Sequence, residues 1–230
     1  MAVRLADIDG NPYIGVFCRL IGDIAVVPLD VSDEFAKLLE TSLDIRTVRA
    51  TLGGTNLHGS LISAGSAGMI VPYFFNETDI RKAFEKEGVT EITDSIRIAI
   101  SDDPTTSWGN NVLLSERAAL INPDLTEESA DLVRDTFDVE VERGTIAGVK
   151  TVGSVASLNS RGMVVHPKAT NEDMARLTDL FGIDVKISTA NFGSPYLGAS
   201  IIANDRGALI GNKSSGVEVN RIEDTLDLIE

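Results

Sequence analysis

The sequence has 230 residues, of which 43% are hydrophobic, and 35 acidic side chains against 20 basic ones give it a net charge of −15. This acidity argues against a DNA partner and against binding to RNA mainly through phosphates, so any RNA contact must be local. The single cysteine, Cys18, excludes an internal disulfide bond and a thiolate zinc cluster.

The N-terminal stretch MAVRLADIDG lacks the basic and apolar regions of a signal peptide. No apolar run of the sequence approaches the length needed to span a membrane. We therefore expect a cytoplasmic protein without a membrane partner.

A recurring apolar run marks a repeated unit along the chain. Each run is followed by a proline or a glycine, and these markers are Pro28, Pro72, Pro123, Pro167 and Gly211. They lie 44, 51, 44 and 44 residues apart, which is the period of a repeat architecture. We place the seven additional residues of the longer interval within residues 101–108, because this polar stretch carries its own turn signal.

The segment before each marker predicts a strand, a hairpin turn and a second strand. Thirteen residues before the markers stand small or polar residues, namely Gly15, Gly59, Asn110, Ser154 and Gly198. A short apolar run and a polar turn follow each of them. In two of these turns, Gly162 and Gly207 are expected to have a positive φ.

The segment after each marker predicts a helix, because apolar residues recur there with helical spacing. The apolar faces comprise Phe35, Leu38 and Leu39; Ile80, Ala83 and Phe84; Leu132, Val133 and Phe137; Met174, Leu177 and Phe181; and Ile222, Leu226 and Ile229. Acidic residues cluster where each helix begins, and the helix dipole stabilises such a carboxylate by about 0.3–1 kcal/mol. Part of the acidic excess is therefore structural.

A third strand closes most units, so the predicted unit is strand, strand, helix, strand. We expect one α/β domain over residues 1–230, with repeats at roughly 10–55, 56–107, 108–150, 151–194 and 195–230. Small sheets of this kind must bury one face against a neighbour, which favours a closed ring. We expect the apolar second strands to line its middle, the helices to lie outside, and residues 2–8 to supply the strand that the last unit lacks.

Four segments carry a resemblance to a known family: NPYIGVF at residues 11–17, WGNNVLLSERAALINPDL at 108–125, GSVASLNSRGMVVHPKAT at 153–170 and GASIIANDRGALIGN at 198–212. Their order and spacing resemble the translation initiation factor 6 family in its archaeal form. The resemblance implies the pentein fold, a five-bladed α/β propeller around a pseudo-fivefold axis. It also implies an anti-association factor, without enzymatic activity, that binds the large ribosomal subunit and blocks its joining to the small one. A role in large-subunit maturation is compatible with it.

The resemblance also implies a binding face, formed by the loops that start each first strand. The expected ribosome-binding residues are Gly15, Gly59, Ser60, Ser66, Gly109, Asn110, Asn111 and Gly198. Recurrent glycines before a strand can also serve only a tight backbone, so both interpretations stay open. Asn110 stands where three sister units have glycine, so the repeat itself does not require its side chain.

The partner expected on that face is a basic ribosomal protein, with local rRNA contact as an addition. Eukaryotic members of the family have basic side chains where this chain has Ser60 and Ser66, which argues against RNA contact by these two residues. We expect a monomer that needs no cofactor and no metal.

An enzyme is the alternative, since other penteins modify guanidino groups with a cysteine nucleophile, a histidine and carboxylates. Such a nucleophile needs an accessible thiol and a nearby base. Cys18 instead lies within an apolar strand, and His58 and His166 stand at unlike positions of different units. We therefore predict no catalytic residue. Arginines at three hairpin tips, Arg117, Arg161 and Arg206, are interpreted as soluble surface, with rRNA contact as the alternative.

Overall fold

The computed structural model describes residues 3–228, except for the side chains of residues 92–94. Its strands are β1 Val3–Ala6, β2 Arg19–Ile21, β3 Ile24–Pro28, β4 Arg46–Ala50, β5 Ser63–Ala64, β6 Gly68–Pro72, β7 Arg97–Ser101, β8 Val112–Leu114, β9 Ala118–Ile121, β10 Glu140–Arg143, β11 Ala156–Leu158, β12 Gly162–Val165, β13 Asp184–Ile187, β14 Ile201–Ala203 and β15 Ala208–Gly211. Its helices are α1 Asp33–Leu43, α2 His58–Leu61, α3 Glu77–Lys86, α4 Thr90–Ser95, α5 Trp108–Asn111, α6 Glu127–Phe137, α7 Asn171–Phe181, α8 Leu197–Ser200 and α9 Gly216–Thr225. Two 3-10 turns, Ile14–Val16 and Val152–Ser154, complete the set.

The described strands form five three-stranded sheets with the orders β2-β3-β4, β5-β6-β7, β8-β9-β10, β11-β12-β13 and β14-β15-β1. In each sheet the first and second strands are antiparallel, and the third runs parallel to the second. In the first four sheets, the helix between the second and third strands provides the crossover that a parallel pair requires. The predicted α/β fold of five repeated units is confirmed.

The first strand of the chain completes the sheet of the last unit. β1 pairs with β15, from Val3 opposite Ala208 to Ala6 opposite Gly211. Of the segment 2–8 expected at this position, residue 2 lies outside the described residues. Residues 229 and 230, including Ile229 of the last predicted helical face, lie outside them as well.

The second strand of every unit lies in the middle of its sheet, and each residue of β3, β6, β9, β12 and β15 is buried. The prediction that these strands line the middle of the ring is wrong. The first strands do so instead, since β2 contacts β5, β5 contacts β8 and β11 contacts β14. A central strand is buried because strands flank it and side chains cover both its faces, so its apolar run does not indicate proximity to the axis.

The five long helices that follow the second strands begin as the sequence predicts. The N-cap side chains of Ser32, Asn76, Thr126, Thr170 and Ser215 each accept a hydrogen bond from a backbone N–H of the first turn. Acidic residues follow each cap, where the helix dipole favours them.

Each long helix packs between its own sheet and the sheet of the preceding unit. Phe84 of α3, for example, shares an apolar cluster with Val26 and Val48 of the first unit and with Met69 of its own. Adjacent residues of β12 belong to two clusters, since Val164 packs with α9 and Val165 with α7. Every core thus depends on two neighbouring units, and burial couples the units around the ring.

Arginines at the interfaces between units bind the C-terminal ends of the neighbouring helices. Arg206 donates to the carbonyl oxygen of Asp44, which caps α1, at 2.9 Å, and Arg46 donates to that of Glu87, which caps α3, at 3.0 Å. Three further arginines complete the set: Arg97 donates to Asp135 O, Arg117 to Asp179 O, and Arg161 pairs with Asp227 just after α9. A guanidinium here satisfies terminal carbonyls and complements the helix dipole. The hairpin-tip arginines therefore join units, in addition to being exposed.

The extra length of the second unit comes from helix α4, which lies between α3 and β7. Among residues 3–228, no other unit has a helix at this place. The placement of the additional residues within 101–108 is therefore wrong. That polar turn belongs to the connection between units, which every pair of neighbours has.

The expectation of positive φ at Gly162 and Gly207 is also wrong, since neither residue has it. Gly162 is needed for a close approach instead. A Cβ atom there would lie closer than 3.0 Å to the carbonyl oxygen of Thr225. This contact comes from packing against α9 and leaves no local turn signal.

Deletion of residues 2–8 is expected to lower the melting temperature sharply, because it removes buried Val3 and Ala6 and exposes the edge of β15. Thermal melting followed by circular dichroism measures the change. Leu5→Ala is the matched control, since Leu5 is exposed on the same strand and its loss should change the melt little. An unchanged melt of the deletion variant would refute this account of ring closure.

Candidate functional site

The ring has two ends, which the first strands connect. We call the end where these strands begin the loop end; it comprises the connections 7–13, 51–57, 102–107, 144–151 and 188–196 with the short helical turns after them. It also includes the segments 29–32, 73–76, 122–126, 166–170 and 212–215, through which the second strands lead into the long helices. We call the other the hairpin end; it comprises the turns 22–23, 65–67, 115–117, 159–161 and 204–207. Seven of the eight predicted site residues lie in short helical turns at the loop end, and Ser66 lies at the hairpin end.

Five glycines at the loop end form a closed ring of backbone contacts. A Cβ atom on any one of them would lie closer than 3.0 Å to the carbonyl oxygen of the glycine of the preceding unit. The order of contacts is Gly59 on Gly15, Gly109 on Gly59, Gly153 on Gly109, Gly198 on Gly153 and Gly15 on Gly198. Real Cβ atoms essentially never come so close, so packing requires glycine at all five places.

Gly153 belongs to this ring although the prediction omitted it. The count of thirteen residues before the marker selects Ser154 and Asn110, whereas Gly153 and Gly109 precede them by one residue. The sequence signal was therefore present, displaced by one position in the third and fourth units. Gly15, Gly59, Gly109 and Gly198 have a packing role whatever else they contact.

Gly59→Ala is expected to destabilise the ring by more than about 3 kcal/mol, because the new methyl group meets backbone atoms that cannot yield. Urea unfolding followed by circular dichroism measures the loss. Gly216→Ala is the control, since no atom lies within 4 Å of a Cβ at this first residue of α9. The control should be neutral or slightly stabilising. Equal stability of both variants would contradict the packing role.

The side chain of Asn111 forms hydrogen bonds within the protein. It is only 4% exposed, its Nδ2 donates to Ser107 O at 2.8 Å, and its Oδ1 accepts from Asn122 Nδ2 at 2.7 Å. These bonds tie α5 to the residue that follows β9. Asn111 therefore positions its neighbours, and its amide is already satisfied.

Asn110 and Ser60 are half-buried in the turns beside the glycine ring. Within residues 3–228, neither side chain makes a hydrogen bond to another group of the protein. The carboxamide of Asn110 and the hydroxyl of Ser60 are thus available to a partner. They are the polar predicted residues that the structure brings together at the loop end.

Ser66 lies in the exposed turn between β5 and β6, and its hydroxyl donates to Glu116 Oε2 at 2.6 Å. A full strand separates it from Ser60. The structure does not bring it together with the other predicted residues.

Exposed apolar side chains at the loop end are the feature that sequence reasoning missed. They are Leu29, Leu57, Tyr73, Phe74, Phe192, Tyr196 and, in the first turn of α9, Val217. Tyr73 and Phe74 pack edge to face, with ring centroids 5.4 Å apart. Leu29 and Tyr73 stand directly after their marker prolines, outside any predicted element, and this position was the available signal.

Phe192 is the most exposed of these side chains, at 85%, and hydrogen bonds to Glu218 hold its loop. Its N–H and that of Gly193 donate to the carboxylate of Glu218, at 3.2 and 2.8 Å. Burial acts to raise the pKa of Glu218, but hydrogen bonds from Ser215, Gly193 and Thr189 outweigh it and lower the pKa. An ionised, buried carboxylate thus fixes a loop that presents an aromatic ring to solvent, as anchor residues of protein interfaces require.

The chemistry of the described residues does not support a thiol nucleophile. Burial strongly raises the pKa of the Cys18 thiol, which therefore keeps its proton at neutral pH. His58 is fully buried at the start of α2, while His166 follows β12 and accepts a hydrogen bond from Lys168 N at its Nδ1, 3.1 Å away.

Within residues 3–228, no three His, Cys, Asp or Glu side chains are grouped to hold a metal ion. None of the described helices has the length and apolar character to cross a membrane.

His58 is expected to make the stability pH-dependent. Burial lowers its pKa to about 4 in the folded state, below the unfolded value of roughly 6.5. As the pH falls below 6.5, the His58 imidazole therefore binds a proton in the unfolded state but not in the folded state. Between pH 7.5 and 5.5 the wild type should lose about 1.4 kcal/mol more than His58→Leu.

Urea unfolding at the two pH values measures this difference. His166→Gln is the control; because His166 is only half-buried, whereas His58 is fully buried, this variant should keep most of the pH dependence. Identical pH dependence in the wild type and in His58→Leu would show that His58 does not cause it.

The matches to known proteins extend along nearly the whole chain. The model of the eIF-6 family matches residues 3–225. A protein named translation initiation factor 6 from Picrophilus torridus is 37% identical over 226 residues, which cover 97% of this chain and 99% of that protein. Its namesake from Methanosarcina mazei is 35% identical, covering 99% and 100%, and that from Pyrococcus abyssi is 31% identical, covering both chains fully. The resemblance carried by the sequence motifs is confirmed, and the chain belongs to the eIF-6 family.

Proposed function

We propose that this protein binds the large ribosomal subunit and sterically prevents its association with the small subunit. The observation that carries the proposal is the family match along the chain, together with relatives named translation initiation factor 6. A role in large-subunit maturation would use the same contact. The proposed site of action is the cytoplasm, where ribosomal subunits meet.

The loop end is the proposed docking face. Its support is the coincidence of unbonded polar groups on Asn110 and Ser60 with exposed aromatic side chains, among them Phe192 and Tyr73. Aromatic anchors surrounded by polar groups are typical of protein interfaces. Ser66, at the hairpin end, is not part of this face.

A basic ribosomal protein is the proposed partner on that face. The first turns of the long helices lie at the loop end and carry exposed carboxylates such as Asp33, Glu128 and Glu172. Together with the net charge of −15 they attract a basic surface and repel phosphates, so rRNA contact is confined to local points.

The proposed mechanism is occupation of space by a rigid monomer. Every apolar core is shared between two units, so no unit can move without breaking burial. A body of this kind blocks a second subunit by its volume and needs neither a cofactor nor covalent chemistry. The alternative, a guanidino-modifying enzyme, requires a reactive thiol, and burial of Cys18 opposes it.

Asn110→Arg is expected to weaken binding to purified large subunits at least tenfold, about 1.4 kcal/mol, because a long cation replaces a compact amide opposite a basic partner. Co-sedimentation with the subunits measures binding, and circular dichroism checks the fold.

Asn220→Arg is the matched control, since it makes the same change at an exposed position of the outer helix α9. The control should bind normally. Full binding by Asn110→Arg would show that the loop end is the wrong face. Failure of the wild type to block subunit joining, together with turnover of an arginine derivative that depends on Cys18, would support the enzyme instead.

A further inference from the structure

A cavity of about 340 Å³ opens at the hairpin end, opposite the proposed docking face. Residues of all five units line it, so it lies on the axis of the ring. Its apolar wall includes leucine side chains of three first strands, Leu20, Leu114 and Leu158. Each packs on one side against an apolar core and stays half-buried, which leaves the other side to the cavity. We call this space the hairpin cavity.

The hairpin cavity has the size of a site for a small molecule. An apolar cavity of about 150 Å³ already holds a benzene ring, and pockets for small ligands begin at about 300 Å³. Part of the room comes from Ala64, which stands where three other units have leucine. Ala64 pairs with Met69 as Leu158 pairs with Met163, so the two positions are equivalent. One or two fused rings fit a space of this volume.

Two exposed carboxylates stand among the residues that line the hairpin cavity, and a neighbouring unit fixes each of them. Glu116 Oε2 accepts a hydrogen bond from Ser66 Oγ at 2.6 Å. Asp205 accepts from the N–H and from the hydroxyl of Ser160, both at 2.8 Å. Within residues 3–228, neither carboxylate forms an ion pair. Both negative charges are therefore held in place and accessible to a cation.

Arg117 is the one basic residue among the described residues that line the hairpin cavity, and its guanidinium is engaged at the C-terminal end of α7. Its Nη2 donates to Asp179 O at 3.5 Å. Its Nη1 lies against Gly182, where a Cβ atom would come closer than 3.0 Å to it. Two unpaired negative charges thus face one positive charge that is already in use, and the lining favours a cation over an anion.

The surroundings of the hairpin cavity favour a small ligand over a protein partner. Protein interfaces have an apolar centre formed by large exposed side chains. Within residues 3–228, none of the exposed large apolar side chains belongs to the hairpin turns. The apolar surface at this end lies in a concave space whose rim is tied by hydrogen bonds between units, as is typical of preformed pockets for small molecules.

We propose that the hairpin cavity binds a small organic monocation, with an apolar body of one or two rings against Leu20, Leu114 and Leu158 and an ammonium group paired with Glu116 or Asp205. Burial of the rings supplies most of the affinity, because exposed ion pairs contribute little. The carboxylates select the sign of the charge. The site lies at the opposite end from the docking face and does not rest on the proposed function.

Methyl NMR of the full chain tests the proposal. Tryptamine, an indole with a short ammonium arm, is the probe, and indole-3-acetate is its anionic counterpart. Tryptamine should shift the methyl signals of Leu20, Leu114 and Leu158 with a dissociation constant of about 1 mM or below, and it should bind about tenfold more tightly than indole-3-acetate. The methyl signals of Leu5, exposed on β1, should not move. Absence of a saturable shift at about 10 mM, equal binding of the two probes, or shifts confined to the loop end would overturn the proposal.

Two variants test the wall and the charges separately. Ala64→Leu fills part of the cavity with the residue that other units have there, and it should weaken tryptamine binding about tenfold. Glu116→Gln combined with Asp205→Asn should remove most of the preference for tryptamine over indole-3-acetate.

Glu128→Gln is the matched control, since Glu128 is exposed in the first turn of α6 at the loop end, and it should bind as the wild type does. Unchanged affinity in Ala64→Leu, or an unchanged preference in the double variant, would overturn the proposal. If Ala64→Leu does not fold, the methyl shifts of the wild type still decide the matter.

Discussion

The contact between the α-carbon of each ring glycine and the carbonyl oxygen of the glycine before it sets the geometry of the whole molecule. Because no side chain intervenes, five short helical turns can meet around one axis. Their approach brings the first strands together, and the first strands then line a cavity of about 170 Å³ on the axis of the ring. Farther from the axis lie the central strands of the sheets and then the helices. A methyl group at any of these five positions would push against the backbone of the preceding unit, so it would disturb the packing between units as well as its own turn.

Packing between units supplies the second level of organisation. The helices fill the wedges between successive sheets, so each core draws residues from two units, as Val26 and Phe84 illustrate. The arginines at the helix C-termini add a polar contact at each of the same interfaces. Pairing of β1 with β15 makes the arrangement circular. Stability is therefore a property of the closed ring, and the long-range contacts needed to form it are of the kind that slows folding.

Local signals made much of this fold predictable. The marker spacing predicted five units, and the acidic residues ahead of each apolar helical face predicted where the long helices begin, since both signals depend on neighbouring residues in the sequence. Features set by contacts between units were less accessible. Nothing local distinguishes Gly162, packed against α9, from a turn glycine, and Asn111 shows its internal role only when Asn122 is placed beside it. The predicted site therefore combined glycines needed for packing, the satisfied amide of Asn111 and the available side chains of Asn110 and Ser60. A recurring glycine can serve packing or binding, and the sequence alone does not distinguish the two. The exposed aromatic residues were missed because they lie outside every periodic element.

Helix α4 shows that the two ends of the ring can vary separately. The second unit accommodates this insertion after the C-terminus of α3, at the hairpin end, while its short turn α2 keeps its place in the glycine ring. Chain length can thus change on one end while the opposite end keeps its shape. Fluorophores or affinity tags inserted near α4 would then project away from Asn110 and Phe192, which makes this connection a suitable attachment point for following the protein on a large assembly.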